Sequence, residues 1–515
     1  VTTPASIDER HERHAPPAER DRARRAVGEW LRARTYPELV VATLVLLWTV
    51  YFGRRTLDIH HGLGTSSYDS ALYDQGVWLL SRFDAPFVTL MGRNMFGDHT
   101  SFVLLFLVPI YWVFPAAGVL FLAQAAAIGA GAVPVFLAAR RLLDSEWPAL
   151  VCAAAYLLHP AVGWTNMENF HPDAFVAPLM GFAVYFALER RWRWYAVFVV
   201  LALMVKEDVS LVVVPLGIWV AVRRDRRIGA LTIAGSVSFM LVAMFVVMRS
   251  LIGVPTRNTW RIPFGGPGGV IRTALTHPTR LVDHVRSDGR GFYVWQVLAP
   301  FGGLFTRRAG IAAISAVVIF TNILSTFWYQ YQIEYHYGLI AVPALAIGTA
   351  YGIAAIERAQ LRRLAIAALG VTSVVAAYLW SPLPGARDNP TGYWPASHPV
   401  AEEMRAIIAD IPADAVVSAY HRVTPHLAHR RQIYMFPTPF RSVLYGSDVD
   451  SNVRLPAADD VEYVVLPVNL DAVMAADWAN IDDAFVLVAE NTSWRLYQRD
   501  FAVPLPSGAR LLPSP

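Results

Sequence analysis

Lysine is almost missing from this chain: of 44 lysine and arginine residues in 515 positions, only Lys206 is a lysine. Cysteine is equally scarce, and charged residues of all kinds reach only 16%. Each shortage excludes something. A single cysteine, Cys152 in an apolar run, leaves no internal disulfide and no thiolate metal cluster, so it reads as a small core hydrophobe. Soluble domains carry about 25% charged residues. A chain with 16% charge, 55% hydrophobic residues and a mean hydropathy of +0.38 is an integral membrane protein. The net charge of +4 sits in short arginine clusters between apolar runs, a pattern of topology signals rather than of nucleic-acid binding. No internal repeat is evident, which weighs against a transporter built from inverted halves.

The apolar runs begin at 39–52 and recur to residue 380. Residues 1–36 are rich in arginine, glutamate and proline and read as a disordered, basic cytoplasmic tail. With that end inside, arginines at 140–141, 190–193, 223–227, 307–308 and 358–363 mark returns to the cytoplasm. Residues 54–101, 165–173, 206–208, 252–290 and 325–337 then fall outside. About eleven crossings result on the ~20-residue span rule, giving a polytopic membrane domain over 37–381. Residues 102–114 are too short to span and read as re-entrant or surface-lying.

After Pro382 the composition turns polar, and 382–515 reads as a small extracytoplasmic α/β domain with a proline-rich tail. Residues 400–408 have helical periodicity. Residues 415–419, 432–436, 462–466, 485–489 and 494–498 read as short strands.

Several polar groups stand out against this background. The first long loop carries Tyr68-Asp69-Ser70-Ala71-Leu72-Tyr73-Asp74. On an ideal helix Asp69 and Asp74 would point about 140° apart, so they are no local acid–base pair. One is expected to face a cavity and the other to cap or pack. Asp98 and His99 follow at the loop's return, and Glu168, His171 and Asp173 lie in the third loop. These five supply oxygen and nitrogen donors for a substrate, a proton relay or a metal. Their spacing matches no metal motif, so hydrogen bonding in a polar cavity is preferred, with a divalent metal as the alternative and no cofactor required. Arg257 and Arg261 flank Trp260, a pairing suited to phosphate or sugar. Residues 325–337, including Tyr331, Glu334 and His336, read either as an interfacial aromatic belt or as a platform that stacks and hydrogen-bonds a sugar.

Lys206, with Glu207 and Asp208, separates two short apolar runs. Interrupted helices at membrane depth are tolerated where they line a protein-enclosed cavity. An ionisable residue there is a functional candidate by default, and a compact ammonium differs from the planar fork used everywhere else. The alternative is a hairpin cap left over from coding bias.

At Tyr68-Asp69, Gly97-Asp98-His99, His171-Pro172-Asp173 and Val205-Lys206-Glu207-Asp208 the chain resembles a bacterial domain-of-unknown-function family of polytopic membrane proteins. That family is similar in turn to the GT-C glycosyltransferases, which use lipid-linked sugars. The resemblance covers most of 37–380. It implies a GT-C-like fold and an enzyme that moves a sugar, with inversion, from a polyprenyl phosphate to an extracytoplasmic glycan, lipid or protein. Asp69 would be the base, with Asp74 in reserve. Lys206, helped by Arg257 or Arg261, would take the donor phosphate, and Glu207 or Asp208 would hold the ammonium. Asp98, His99, Glu168, His171, Asp173, Tyr331, Glu334 and His336 would bind substrate, and the C-terminal domain would grip the acceptor. Where the family carries an Asp-Glu pair this chain has Asp69-Ser70, so a two-carboxylate role does not carry over. A transporter or lipid flippase would also use Lys206, but has no need of the long polar first loop at 54–101. A non-catalytic scaffold would have no use for the Lys-Glu-Asp apex.

Overall fold

The computed structural model describes residues 34–390, 392–444 and 452–506. The expected N-terminal tail up to residue 33, and the last nine residues, lie outside them. Five helices are long and apolar enough to cross a membrane: Tyr36–His61, Gly118–Leu143, Arg226–Ile252, His336–Ala354 and Ala359–Trp380. Glu146–Leu157 and Pro160–Met167, bent by 44° at their junction, make a sixth. The expectation of about eleven crossings is therefore higher than helix length supports. The difference lies in apolar runs that form helices of 10–17 residues, among them Pro172–Leu188, Trp192–Leu203 and Ala312–Leu324. These fall short of the ~20 residues that a span needs.

His336–Ala354 is the centre of the bundle, with 83% of its apolar window buried. Its packing depends on small residues. A Cβ on Gly348 would sit 2.7 Å from the backbone nitrogen of Ala312. Residues 102–114 form a 3-10 turn, Phe102–Phe106, and a six-residue helix, Val108–Val113, so they do not span. Trp192–Leu203 and Ser210–Arg223 meet at the Lys206 apex, where extended backbone (φ −168°, ψ 151°) leads into the turn Glu207–Val209. The break leaves backbone groups that need partners, and the amides of Val103 and Thr100 supply donors to the Met204 carbonyl (2.9 Å) and the Glu207 carboxylate (3.1 Å).

A two-stranded hairpin, β1 (Phe87–Val88) and β2 (Arg93–Asn94), lies in the first loop. The C-terminal residues form a five-stranded sheet: β3 (Val417–Ala419), β4 (Ile433–Met435), β5 (Tyr463–Pro467), β6 (Phe485–Glu490) and β7 (Trp494–Arg499), in the order β4-β3-β5-β7-β6. β4, β3 and β5 are parallel; β5, β7 and β6 are antiparallel. All five expected strands are present, and the expected helix is Pro399–Ile408.

This sheet domain is bolted to the first loop. Thr89 Oγ1 donates to the Ile433 carbonyl (2.6 Å) and accepts from the Ile433 amide (3.0 Å). Gln75 Nε2 donates to the carbonyls of Arg430 and Arg431, both at 3.2 Å.

The helix packing gives a direct check. Gly348→Ala forces a shift against Ala312 backbone and should cost about 1–3 kcal/mol. Gly235→Ala, which meets nothing within 4 Å, should be neutral or stabilising by up to ~1 kcal/mol. Thermal midpoints of the purified protein in detergent compare the two.

Candidate functional site

The first helix stops at Gly62, and a run of small polar residues, Thr65-Ser66-Ser67, carries the chain into a five-residue π turn, Ser67–Ala71. Inside it Asp69 has φ 66° and ψ −72°, the strained and uncommon form of γ-turn. A non-glycine residue held there costs roughly 1–3 kcal/mol, and persists only where its surroundings over-determine it. Asn169 Oδ1 accepts from the Ser66 amide (3.3 Å) and Ser70 Oγ (2.8 Å). On the other flank Ser67 Oγ donates to the His421 carbonyl (3.1 Å) and lies 2.7 Å from Thr424 Oγ1 in the sheet domain.

The loop that supplies Asn169 is fixed by one buried glutamine in an otherwise apolar helix. Gln124 Nε2 donates to the carbonyls of Thr165 (3.1 Å) and Asn169 (2.8 Å), while its Oε1 accepts from the His171 amide (2.7 Å). Three backbone groups of a buried turn are satisfied by a single side chain, which aims Glu168 and His171 inward.

These loops close around a cavity of about 340 Å³, within the range of small-molecule sites. Asp69, Asp98, His99, Glu168, His171, Lys206, Arg261 and His336 all line it. They come from five separate stretches of sequence. Tyr73, Phe327, Tyr329, Tyr335 and Tyr337 complete an aromatic side.

Each charge has a defined partner. Lys206 Nζ, almost fully buried, lies 3.7 Å from Asp173 Oδ2 and 3.8 Å from Asp208 Oδ2. Arg93 Nη2 donates to Asp98 Oδ1 at 2.6 Å, and His99 Nδ1 to Glu207 Oε1 at 2.7 Å. The Arg261 guanidinium stacks 4.3 Å from the Phe327 ring and donates to Tyr337 Oη at 3.3 Å. The His336 amide and Nδ1 both donate to Glu168 Oε2, at 2.7 and 3.0 Å. The rings of His171 and His336 stack with centroids 3.7 Å apart. His171 Nε2 lies 3.3 Å from Glu168 Oε1 and 3.9 Å from Asp69 Oδ2 without an aligned hydrogen bond.

Electrostatics sort these groups into acids and bases. Burial works against the charge on His171, but the carboxylates of Glu168 and Asp69 overcome it and raise its pKa to about 9. Glu168 is likewise desolvated, yet the two imidazoles hold it well below the usual carboxylate range. Asp69 keeps 39% of its side chain accessible at the cavity wall, while its depth raises its pKa above the ordinary value; His171 opposes that rise and Glu168 adds to it. The result is a carboxylate more basic than usual, a direction suited to proton abstraction.

Several expected site residues lie elsewhere. Asp74 is buried outside the cavity, accepting from Tyr111 Oη (2.7 Å) and His429 Nε2 (2.9 Å), so the reserve base is a structural carboxylate. Glu207 orders His99 and does not hold the lysine. Asp173, expected on substrate, faces Lys206 together with Asp208. Tyr331 lies under the Arg290 guanidinium at 4.0 Å. Arg257 donates to the Ile252 carbonyl (3.4 Å) and is not part of the wall. Glu334 lines a neighbouring cavity.

The sequence reading gave no role to Asn169, Gln124, Thr424 or His429. Of these only Gln124 carried a signal, as a lone amide in an apolar run. Glu168, His171 and His336 each offer a ligand atom, all within 4.8 Å of one another, a grouping able to hold a divalent cation. Spacing could not reveal it, because His336 is 168 residues from Glu168.

Comparison with known proteins places this geometry. The family model for a predicted membrane protein, DUF2079, matches residues 59–503. No curated protein matches by sequence. Among solved structures, ArnT from Cupriavidus metallidurans bound to undecaprenyl phosphate is similar, with a TM-score of 0.50 and 13% identity, covering 88% of this chain and 97% of its own. Apo ArnT from the same organism gives a TM-score of 0.50 at 14% identity, covering 94% and 100%. The fold is therefore similar to that of ArnT.

The raised pKa of His171 has a consequence for stability. The contribution of its ion pair is fully present below pH 6.5, its ordinary value, and is lost as pH rises through about 9. The thermal midpoint should fall across that window, and His171→Gln should flatten the fall.

Proposed function

We propose that this chain, which belongs to the predicted membrane protein family DUF2079, is a glycosyltransferase that moves a sugar from a polyprenyl phosphate to an acceptor hydroxyl. The observation that carries the reading is the convergence of Asp69, Lys206 and Arg261 on one cavity within a GT-C fold. The solved ArnT structure bound to undecaprenyl phosphate supports a lipid of that class as the donor carrier. The arginine clusters favour a cytoplasmic N-terminus, and the proposal accordingly puts the cavity and the sheet domain on the outer side.

The reaction is a single displacement. The acceptor oxygen attacks the anomeric carbon while its proton passes to the Asp69 carboxylate. The bond from that carbon to the phosphate oxygen breaks, and its electrons leave with the polyprenyl phosphate. Attack from the face opposite the leaving group inverts the anomeric carbon. Lys206 and Arg261 stabilise the charge that grows on the phosphate, in a site where few waters compete. Phosphate leaves without a general acid. Asp98, His99, His171 and His336 ring the space left for the sugar, and Glu168 keeps the imidazoles charged or oriented. Asp173 and Asp208 keep the ammonium positive at depth. The loops of the sheet domain hold the first loop, a role that adds to the proposed grip of the C-terminal domain on the acceptor.

Two variants separate the roles. Lys206→Met should lose binding of undecaprenyl phosphate, measured by native mass spectrometry of the purified protein, by about tenfold or more, since hydrogen bonds to charged groups are worth roughly 1.5–3 kcal/mol. Asp69→Asn should keep that binding and lose transfer by about 10²–10⁴-fold. A strain without the gene should accumulate a polyprenyl-phosphate sugar in its lipid extract. Full activity in Asp69→Asn would remove the base assignment.

A further inference from the structure

The cavity just described has a neighbour of different chemistry. A second cavity, of about 240 Å³, lies at the end of the first helix and shares Glu168, Asn169 and Tyr335 with the first. The first is walled by Lys206 and Arg261, whereas no lysine or arginine lines the second among the described residues. Its charged groups are both carboxylates, Glu168 and Glu334. Asn166 is fully buried on its wall, and Oδ1 of that amide has no hydrogen-bond partner. Trp164 and Tyr393 add aromatic surface.

We propose that this second cavity seats the acceptor, and that the acceptor presents a neutral polyhydroxylated group, such as a sugar ring or polyol, rather than a phosphate. The proposal rests on the glycosyl-transfer reading of the first cavity. An anionic headgroup would meet two carboxylates on the wall, with the guanidinium of Arg55 set against the Tyr393 ring, 5.5 Å from its centroid, rather than on the lining. Hydroxyl groups would donate to those carboxylates and to the Asn166 oxygen, while the ring faces of a sugar pack on Trp164 and Tyr393. The partition between the cavities is also tied to the base. Asn169 belongs to both walls and binds Ser66 and Ser70 on either side of Asp69. A hydroxyl reaching across the partition therefore arrives at the segment that removes its proton.

Site-directed labelling tests this on the full chain in lipid nanodiscs. The one native cysteine, Cys152, is buried and is replaced by alanine. Tyr393→Cys then reports on the second cavity and Tyr329→Cys on the first, with Glu334→Cys as a second reporter should the Tyr393 variant fail to fold. The probes are methyl glycosides of mannose, arabinose and glucose, glycerol 1-phosphate, and undecaprenyl phosphate. At a probe concentration about four times its dissociation constant, mass action slows maleimide labelling about fivefold. The expected result is that a neutral glycoside slows labelling at 393 and 334 but not at 329, and that undecaprenyl phosphate does the reverse. Protection of 393 by glycerol 1-phosphate, or by none of the glycosides at either reporter, would overturn the acceptor assignment while leaving the donor reading intact. Failure of undecaprenyl phosphate to protect 329 would instead overturn the donor reading, and this inference with it.

Discussion

The arrangement depends on keeping one ammonium charged inside the protein. A buried cation without partners loses several kcal/mol of solvation. Asp173 and Asp208 offset that loss at 3.7 and 3.8 Å, close enough for attraction and too far for hydrogen bonds. The lysine is thus neutralised as a charge while its donors stay available to a ligand, a combination that the planar fork of an arginine would not reproduce. The other ion pairs follow from the same need. Arg93 with Asp98 and His99 with Glu207 pair further charges beside the cavity. Replacing any one member leaves its partner exposed to the low dielectric alone, which is why the network stands or falls together.

Strain and support meet at Asp69. Its backbone occupies a conformation that the residue would leave if released, and three hydrogen-bonding residues from distant stretches hold it: Asn169 from the third loop, and His421 and Thr424 from the sheet domain, acting through Ser66, Ser67 and Ser70. The three serines are small enough to let those elements approach. The sheet domain thereby belongs to the site through positioning, although none of its residues lines the first cavity.

Much of this was legible in the sequence, and for identifiable reasons. The five strands showed themselves by alternation, and the broken helix at Lys206 by three consecutive charges in an apolar run. Asp69, Asp98, His99, Glu168, His171 and His336 each stood as a polar residue where the surroundings were apolar or aromatic, so burial could be inferred one loop at a time. What could not be read was pairing across loops. Glu207 and Asp208 are adjacent, yet one faces His99 and the other Lys206, because the turn between them points their side chains apart. Asp74 looked equal to Asp69 until Tyr111 and His429 claimed it. Helix length supports five or six of the eleven expected crossings, for a different reason: hydropathy registers a run as apolar whether it faces lipid or packs against other helices, and several such runs form helices of only 10–17 residues.

The contact between Ser67 and Thr424 joins residues 357 positions apart. During synthesis the first loop therefore emerges long before the residues that hold it exist. Until they arrive, nothing on that flank keeps Asp69 in its strained turn, and the segment is free to relax. Biogenesis so imposes an order: a chain that ends before Thr424 carries every charged group lining the cavity and still lacks the outer support of the Asp69 turn.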